Sequence, residues 1–315
     1  MAADLRTGAC APQAVLPKGM HVLERGWLSS NNVLFEEGGE LSVVDTGFVT
    51  HSRQTAALID HAGGGRALAR IINTHLHSDH AGGNARLARD RVASILIPAG
   101  LAEAALLWDV ERLSFAATAQ RCPRFAFDGL LHAGDLLELG GRPWQVLAAA
   151  GHDPDMLMLF EPDGRILIST DALWRNGFGA IFPEIEGEPG FREQRRTLDL
   201  IAGLQPRLVI PGHGSPFRET DAALEQAYRR LDALSSSPER NARHVLKVLL
   251  KFWLLQVGQA PMRRLIKHFE RARYARIVHQ RYFAHLSFDQ VIERAVQELC
   301  AVGAAALDAS SVRSL

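Results

Sequence analysis

The segment Thr74 to Gly83 reads Thr-His-Leu-His-Ser-Asp-His-Ala-Gly-Gly. Three imidazoles and one carboxylate fall within His75-Leu76-His77-Ser78-Asp79-His80, directly after the apolar run Ala69 to Asn73, which reads as a buried strand. Neutral imidazole and carboxylate suit Zn²⁺, Fe²⁺ or Mn²⁺. In an extended segment His75 and His77 project to the same side and can share one metal. Asp79 and His80 follow as the chain turns and can face a second. Gly82-Gly83 lets the chain turn sharply into the next helix. The alternative is a polar turn with solvated histidines.

Around this run, short β-branched stretches alternate with helical ones. Leu41 to Asp45, Val92 to Pro98, Trp144 to Leu147, Met156 to Phe160, Arg165 to Ser169 and Arg207 to Ile210 read as strands. Thr55 to His61, Gly83 to Asp90, Phe191 to Leu204 and Asp221 to Leu234 read as helices, and Glu161-Pro162-Asp163-Gly164 as a hairpin turn. This order implies a layered α/β sandwich. It has too few strict strand–helix repeats for a barrel, and no G-x-G-x-x-G follows a strand. Three strand exits carry a further His or Asp: Gly151-His152, Ser169-Thr170-Asp171 and Pro211-Gly212-His213-Gly214. Each alone reads as a surface turn. Together, and in this order after the first motif, they are a strong signal.

The full set resembles the metallo-β-lactamase superfamily in its dinuclear hydrolase form, over about residues 20 to 234. The resemblance implies an αββα sandwich with two divalent metals, zinc foremost, at one edge. It implies His75, His77 and His152 on one metal, Asp79, His80 and His213 on the other, and Asp171 bridging them. Val44-Asp45-Thr46-Gly47 looks like the family's strand end whose buried Asp orients the metal loop. In the family's lactamases the bridging position is not an Asp, so Asp171 points to the glyoxalase II, lactonase and nuclease branches. Gly151-His152-Asp153-Pro154-Asp155-Met156 departs from the Gly-His-Thr-x-Gly pattern of glyoxalase II. It looks more like the branch with a C-terminal winged-helix-like domain, which includes endoribonucleases.

Composition shifts after Ser235-Ser236-Ser237-Pro238. Residues 235 to 315 hold 13 Lys or Arg against 6 Asp or Glu, while the whole chain is neutral. The reading is a hydrolase domain over 1–234 and a mainly helical, winged-helix-like domain over 235–315. Helices are expected over Arg240 to Val257, Met262 to Arg271, Ala275 to Phe283 and Phe288 to Val302, the last capped by Ser287 or Asp289. Arg263, Arg264, Lys267, Arg271, Arg273 and Arg276 form a basic patch that could hold phosphates of RNA or coenzyme A; the alternatives are a solvated face, or a surface that docks on the acidic N-terminal part. Phe269, Tyr274, Tyr282 and Phe283 stack bases or belong to the core. Cys10, Cys122 and Cys300 are far apart and read as structural thiols of a reducing cytosol. Neither a secretory signal nor a membrane span is expected.

The chemistry implied is hydrolysis by a hydroxide shared between two metals about 3.5–4 Å apart, with Asp79 holding a metal and orienting the hydroxide. A carboxylic ester, thioester or lactone is the first expectation, single-stranded RNA the second, and a non-catalytic binding module the third. Trp174 to Gly179 is a substrate wall or a packed loop. A pocket closed by Trp174, Phe178 and the C-terminal helices would mean a small acyl substrate, and an open basic groove would mean nucleic acid.

Overall fold

A computed structural model describes residues 16–308 and 311–315, so Cys10 lies outside the described residues. The first sheet holds β1 (Met20–Leu23), β2 (Asn32–Glu37), β3 (Glu40–Val44), β4 (Ala67–Ile72), β5 (Ser94–Pro98) and β6 (Gly129–Leu131) in chain order. β1 to β3 pair antiparallel and β3 to β6 parallel. The second holds β7 (Leu136–Leu139), β8 (Arg142–Ala148), β9 (Leu157–Glu161), β10 (Ile166–Thr170) and β11 (Leu208–Pro211), antiparallel except for β10–β11. The expected hairpin turn joins β9 to β10, and the buried Glu161 closes it by accepting the Gly164 N–H at 2.6 Å.

The sheets stack face to face. Val33, Val44 and Ile72 of the first meet Trp144, Leu159, Ile168 and Ile210 of the second. Trp144 is fully buried, and its indole N–H donates to Leu139 O at 3.2 Å, which satisfies its one polar atom. Helices cover both outer faces. After α1 (Ser52–Gly63), the single turn α2 (Ser78–Ala81) and α3 (Asn84–Arg91), Ile59 and Leu87 pack on Leu41, Leu68 and Ile95. After α4 (Ala102–Leu107), α5 (Phe115–Thr118) and α6 (Pro183–Glu186), the helices α7 (Gly190–Leu204) and α8 (Thr220–Ser235) set Leu198, Ile201, Leu224 and Leu231 on the second sheet. The layers are therefore αββα. Val92 does not start a strand as expected. It closes α3 in the left-handed region at φ 55°, and pairing begins at Ser94.

At Ser235-Ser236-Ser237-Pro238, only Ser236 and Ser237 lie between α8 and α9 (Pro238–Val257). Beyond it come β12 (Gln259–Pro261), α10 (Met262–Phe269), α11 (Arg273–Tyr282), α12 (Phe288–Ala301), β13 (Ala305–Asp308) and β14 (Ser311–Ser314). Ser287 and Gln290 form a capping box on α12, so Ser287 is the cap and Asp289 lies in the first turn. The antiparallel sheet β12-β14-β13 was not anticipated, because strands of three or four residues are too short to show alternation. Phe269, Tyr274 and Phe283 lie in this region's apolar core, as the packing alternative expected. That core also takes in Ala180, Phe182 and Ile185 from the segment around the start of α6. No helix among the described residues is long and apolar enough to cross a membrane.

Candidate metal centre

The loop after β4 is fixed by Asp45. This buried residue follows β3 in the left-handed region, at φ 57°. Its Oδ1 accepts the Thr74 N–H at 3.0 Å, and its Oδ2 accepts the Thr74 hydroxyl at 2.8 Å and the His80 Nδ1–H at 2.7 Å. The Thr74 oxygen in turn accepts from Thr170 Oγ1 at 3.0 Å, joining the two sheets' exits. Thr170 is also left-handed, at φ 46°. Strained non-glycine backbone of this kind persists only where the surroundings over-determine it. Gly82 and Gly83 have ordinary helical dihedrals, so their role is not the sharp turn expected. A Cβ on Gly82 would meet Val49 N at 2.5 Å, and one on Gly83 would meet Thr46 O at 2.5 Å. They are there for close backbone approach.

His75, His77 and His152 converge. His75 Nε2 lies 3.1 Å and His152 Nε2 2.8 Å from His77 Nδ1. His152 Nδ1–H donates to Ala180 O, so its Nε2 carries a bare lone pair. Asp79, His80, Asp171 and His213 form a second group. Asp79 Oδ2 is 3.1 Å from His213 Nε2, and His80 Nε2 is 3.5 Å from Asp171 Oδ1. Asp171 Oδ2 lies 3.4 Å from His152 Nε2, so the two oxygens of Asp171 face different groups. All seven residues singled out in the sequence are thus brought together, split three and four.

The arrangement fits divalent cations. With the His77 proton on Nε2, toward Asp153, His77 Nδ1 and His152 Nε2 present lone pairs 2.8 Å apart, which repel unless a cation lies between them. His80 Nε2 is buried with no hydrogen-bond partner, while Asp45 holds the other ring nitrogen. Buried polar atoms left so are rare. Burial pushes His77 and His152 down to about 4 and His75 well below its ordinary value, the neighbouring imidazoles adding to the effect, which keeps these rings neutral for ligation. Burial opposes charge on His80 too, but Asp45, Asp171 and Asp79 outweigh it and hold His80 well above its usual range. Asp79 and Asp171 are held low against their burial, chiefly by His80.

Sequence reasoning missed four supports. His77 presents Nδ1 to its group, and its Nε2 lies 3.5 Å from Asp153 Oδ2. Burial raises the Asp153 carboxyl. Asn31 is buried, and its amide donates to Pro211 O at 3.0 Å and Gly214 O at 2.7 Å, bracketing His213. Trp27 stacks on His213 at 5.4 Å and 12°. Gly179 leaves room for the rings, since a Cβ there would meet His152 Nδ1 at 2.6 Å. The 174–179 loop divides. Trp174 Nε1–H donates to Asp171 Oδ1 at 3.3 Å, whereas Phe178 is fully buried beneath Arg230 and faces no substrate.

A cavity of about 530 Å³ opens beside His77 and His152. Its apolar wall is Phe182, stacked on Tyr274 of α11 at 5.4 Å and 10°, instead of the Trp174 and Phe178 expected. Its charged lining is Asp153, Glu111, Glu186 and Glu188 against Arg112 and Arg273.

The family model of the metallo-beta-lactamase superfamily matches residues 25–213. The chain belongs to that superfamily. Among relatives of this superfamily chain, a hydroxyacylglutathione hydrolase of Ruegeria pomeroyi is 31% identical over 150 residues, 47% of this chain and 49% of the relative. The chain thus spans about half the length of the hydroxyacylglutathione hydrolase it matches. An acyl-coenzyme A thioesterase of Bos taurus is 26% identical over 219 residues, 62% of this chain and 78% of the relative. A beta-lactamase domain protein of Burkholderia ambifaria shares the superfamily fold over nearly the whole length, with TM-score 0.58, 20% identity, and 95% and 93% of the two chains covered.

Proposed function

We propose that the chain is a dinuclear metal-dependent hydrolase of a carboxylic ester, thioester or lactone. His75, His77 and His152 would hold one ion, Asp79, His80 and His213 the other, and Asp171 both, with zinc the best match to the imidazole-rich donors. Bound there, divalent ions supply a water nucleophile at neutral pH and an electrophile for the substrate oxygen. The chain's own residues do the positioning. Asp45 fixes the His80 ring, Ala180 O fixes His152, Asp153 faces the outer nitrogen of His77, and Asp79 is placed to orient the nucleophile.

The cavity beside His77 and His152 carries this reading. It is bounded by Phe182 and Tyr274, and its acidic groups outnumber its basic ones, which opposes a polyanionic strand at the metals. The relatives' names point the same way, to acyl groups on glutathione or coenzyme A. We also infer a division at residue 235, with the C-terminal part winged-helix-like, and a reducing cytosolic setting. Support comes from the order helix, strand, helices, strand, strand and from the free thiols of Cys122 and Cys300. The test is turnover by metal-loaded protein of a thioester, an ester, a lactone and single-stranded RNA. Cleavage of RNA with no acyl turnover overturns the reading.

A further inference from the structure

A second cavity, of about 330 Å³, lies where the C-terminal helices meet the segment at Ala119 and Arg121. Arg121, Arg264, Lys267 and Arg271 stand around it, and no Asp or Glu lines it. Arg264 and Lys267 are one turn apart on α10, and Arg271 follows the end of that helix, while Arg121 comes from the other side of the junction. Among the described residues, none of these four cations has an ion pair. Arg273, two residues further on, is by contrast held by Glu111 and Glu186.

The cavity has a rigid side. His268 stacks on the buried Trp253 at 4.9 Å and 26°, and the Arg264 guanidinium lies over the same indole at 5.8 Å. Burial, then Arg271, Arg264 and Arg121, push His268 down to about 4, so the ring stays neutral amid the cations. All four side chains are exposed, yet they line one concavity that holds no carboxylate, so an anion seated there would meet cations from both sides of the junction. The volume lies at the small-molecule end of binding sites. A neighbouring cavity of about 540 Å³ shares Arg121 and Gln256 and is lined by Val49, Val110, Phe115 and Pro123.

We propose that the basic cavity binds a small molecule bearing two phosphate groups, whose uncharged remainder extends along the adjoining apolar cavity. The basic cavity shares no lining residue with the cavity beside His77 and His152, and the proposal does not depend on which acyl bond is cleaved there.

The test uses the metal-loaded full chain, titrated calorimetrically with adenosine 3′,5′-bisphosphate and separately with a short single-stranded RNA. The double variant R264Q/K267Q and the single variant R121Q change exposed side chains, so metal content is expected to stay unchanged and melting temperature to fall only slightly, R264Q giving up its contact with the Trp253 ring. The expected result is bisphosphate binding that weakens at least about tenfold in R264Q/K267Q and less in R121Q, since the charged donors to phosphate are lost. Turnover of an unphosphorylated ester should be unaffected. Absence of bisphosphate binding to the wild type overturns the proposal. So does equal binding by the double variant, which would place the phosphates at the metals. Tight RNA binding without bisphosphate binding overturns it in favour of a strand-binding surface.

Discussion

Asp45 Oδ2 lies 2.7 Å from His80 Nδ1, and the same carboxylate accepts both the N–H and the hydroxyl of Thr74. One buried acid thus sets the start and the end of the histidine-rich loop. Asp45→Ala would leave three donors without their acceptor. Expected is a loss of about 10–100-fold in affinity at the Asp79, His80 and His213 group, read by metal titration, together with a lower melting temperature. Metal affinity equal to wild type would show that His80 is oriented by something else.

The three-and-four division of the donors makes stoichiometry informative. His152→Ala and His213→Ala should each lose one metal equivalent, from different groups, while Asp171→Asn should weaken both. Elemental analysis after gel filtration measures this. Two retained equivalents in all three variants would exclude the assigned ligands.

Gly179 is required by space rather than by backbone angle. A methyl there sits 2.6 Å from His152 Nδ1 and 3.0 Å from Asp171 Cβ. Gly179→Ala should destabilise the fold by about 1–3 kcal/mol through overpacking. It should also weaken metal binding by displacing the ring, which urea unfolding and metal titration read separately.

Tyr274 reaches the cavity from the C-terminal part, stacked on Phe182, whose edge meets His77 at 5.6 Å. In Tyr274→Ala, KM for an acyl substrate should rise severalfold or more while kcat changes less, because the wall goes and the donors stay. Tyr274→Phe keeps the stacked ring and should resemble wild type in steady-state kinetics.

Burial, with Arg230 and Lys247 nearby, holds His244 down at about 3, and its Nε2 accepts from Arg230 Nη2 at 2.7 Å. A base whose folded pKa is depressed contributes stability that is present above its unfolded value near 6.5 and is lost as pH falls toward about 3. Between pH 7 and 5 the loss from this group is about 2 kcal/mol. His244→Gln keeps an acceptor for Arg230 without titrating, so its stability should fall less over that interval. Parallel pH profiles in urea unfolding would contradict the assignment.

The site was legible because each donor follows an apolar run: His75 after β4, His152 after β8, Asp171 after β10 and His213 after β11. Strand exits on one edge of a sandwich must converge, so spacing along the chain translated into proximity. Asp153 escaped notice although its segment was seen to depart from the usual pattern. Its role depends on His77 turning Nδ1 inward, and residue spacing does not encode ring orientation. The cavity wall escaped because Phe182, just before α6, and Tyr274, on α11, lie far apart in the sequence, and no periodicity links them. The short strands β12 to β14 hold too few residues to display a period.

The donors are divided between the sheets, four on the loop after β4 and three on the exits of β8, β10 and β11. Ions seated there would rivet the halves of the sandwich at one edge. Heat resistance would then rise with the free concentration of the ion, by RT ln(1 + [L]/Kd). A chain kept short of metal would come apart first along that seam.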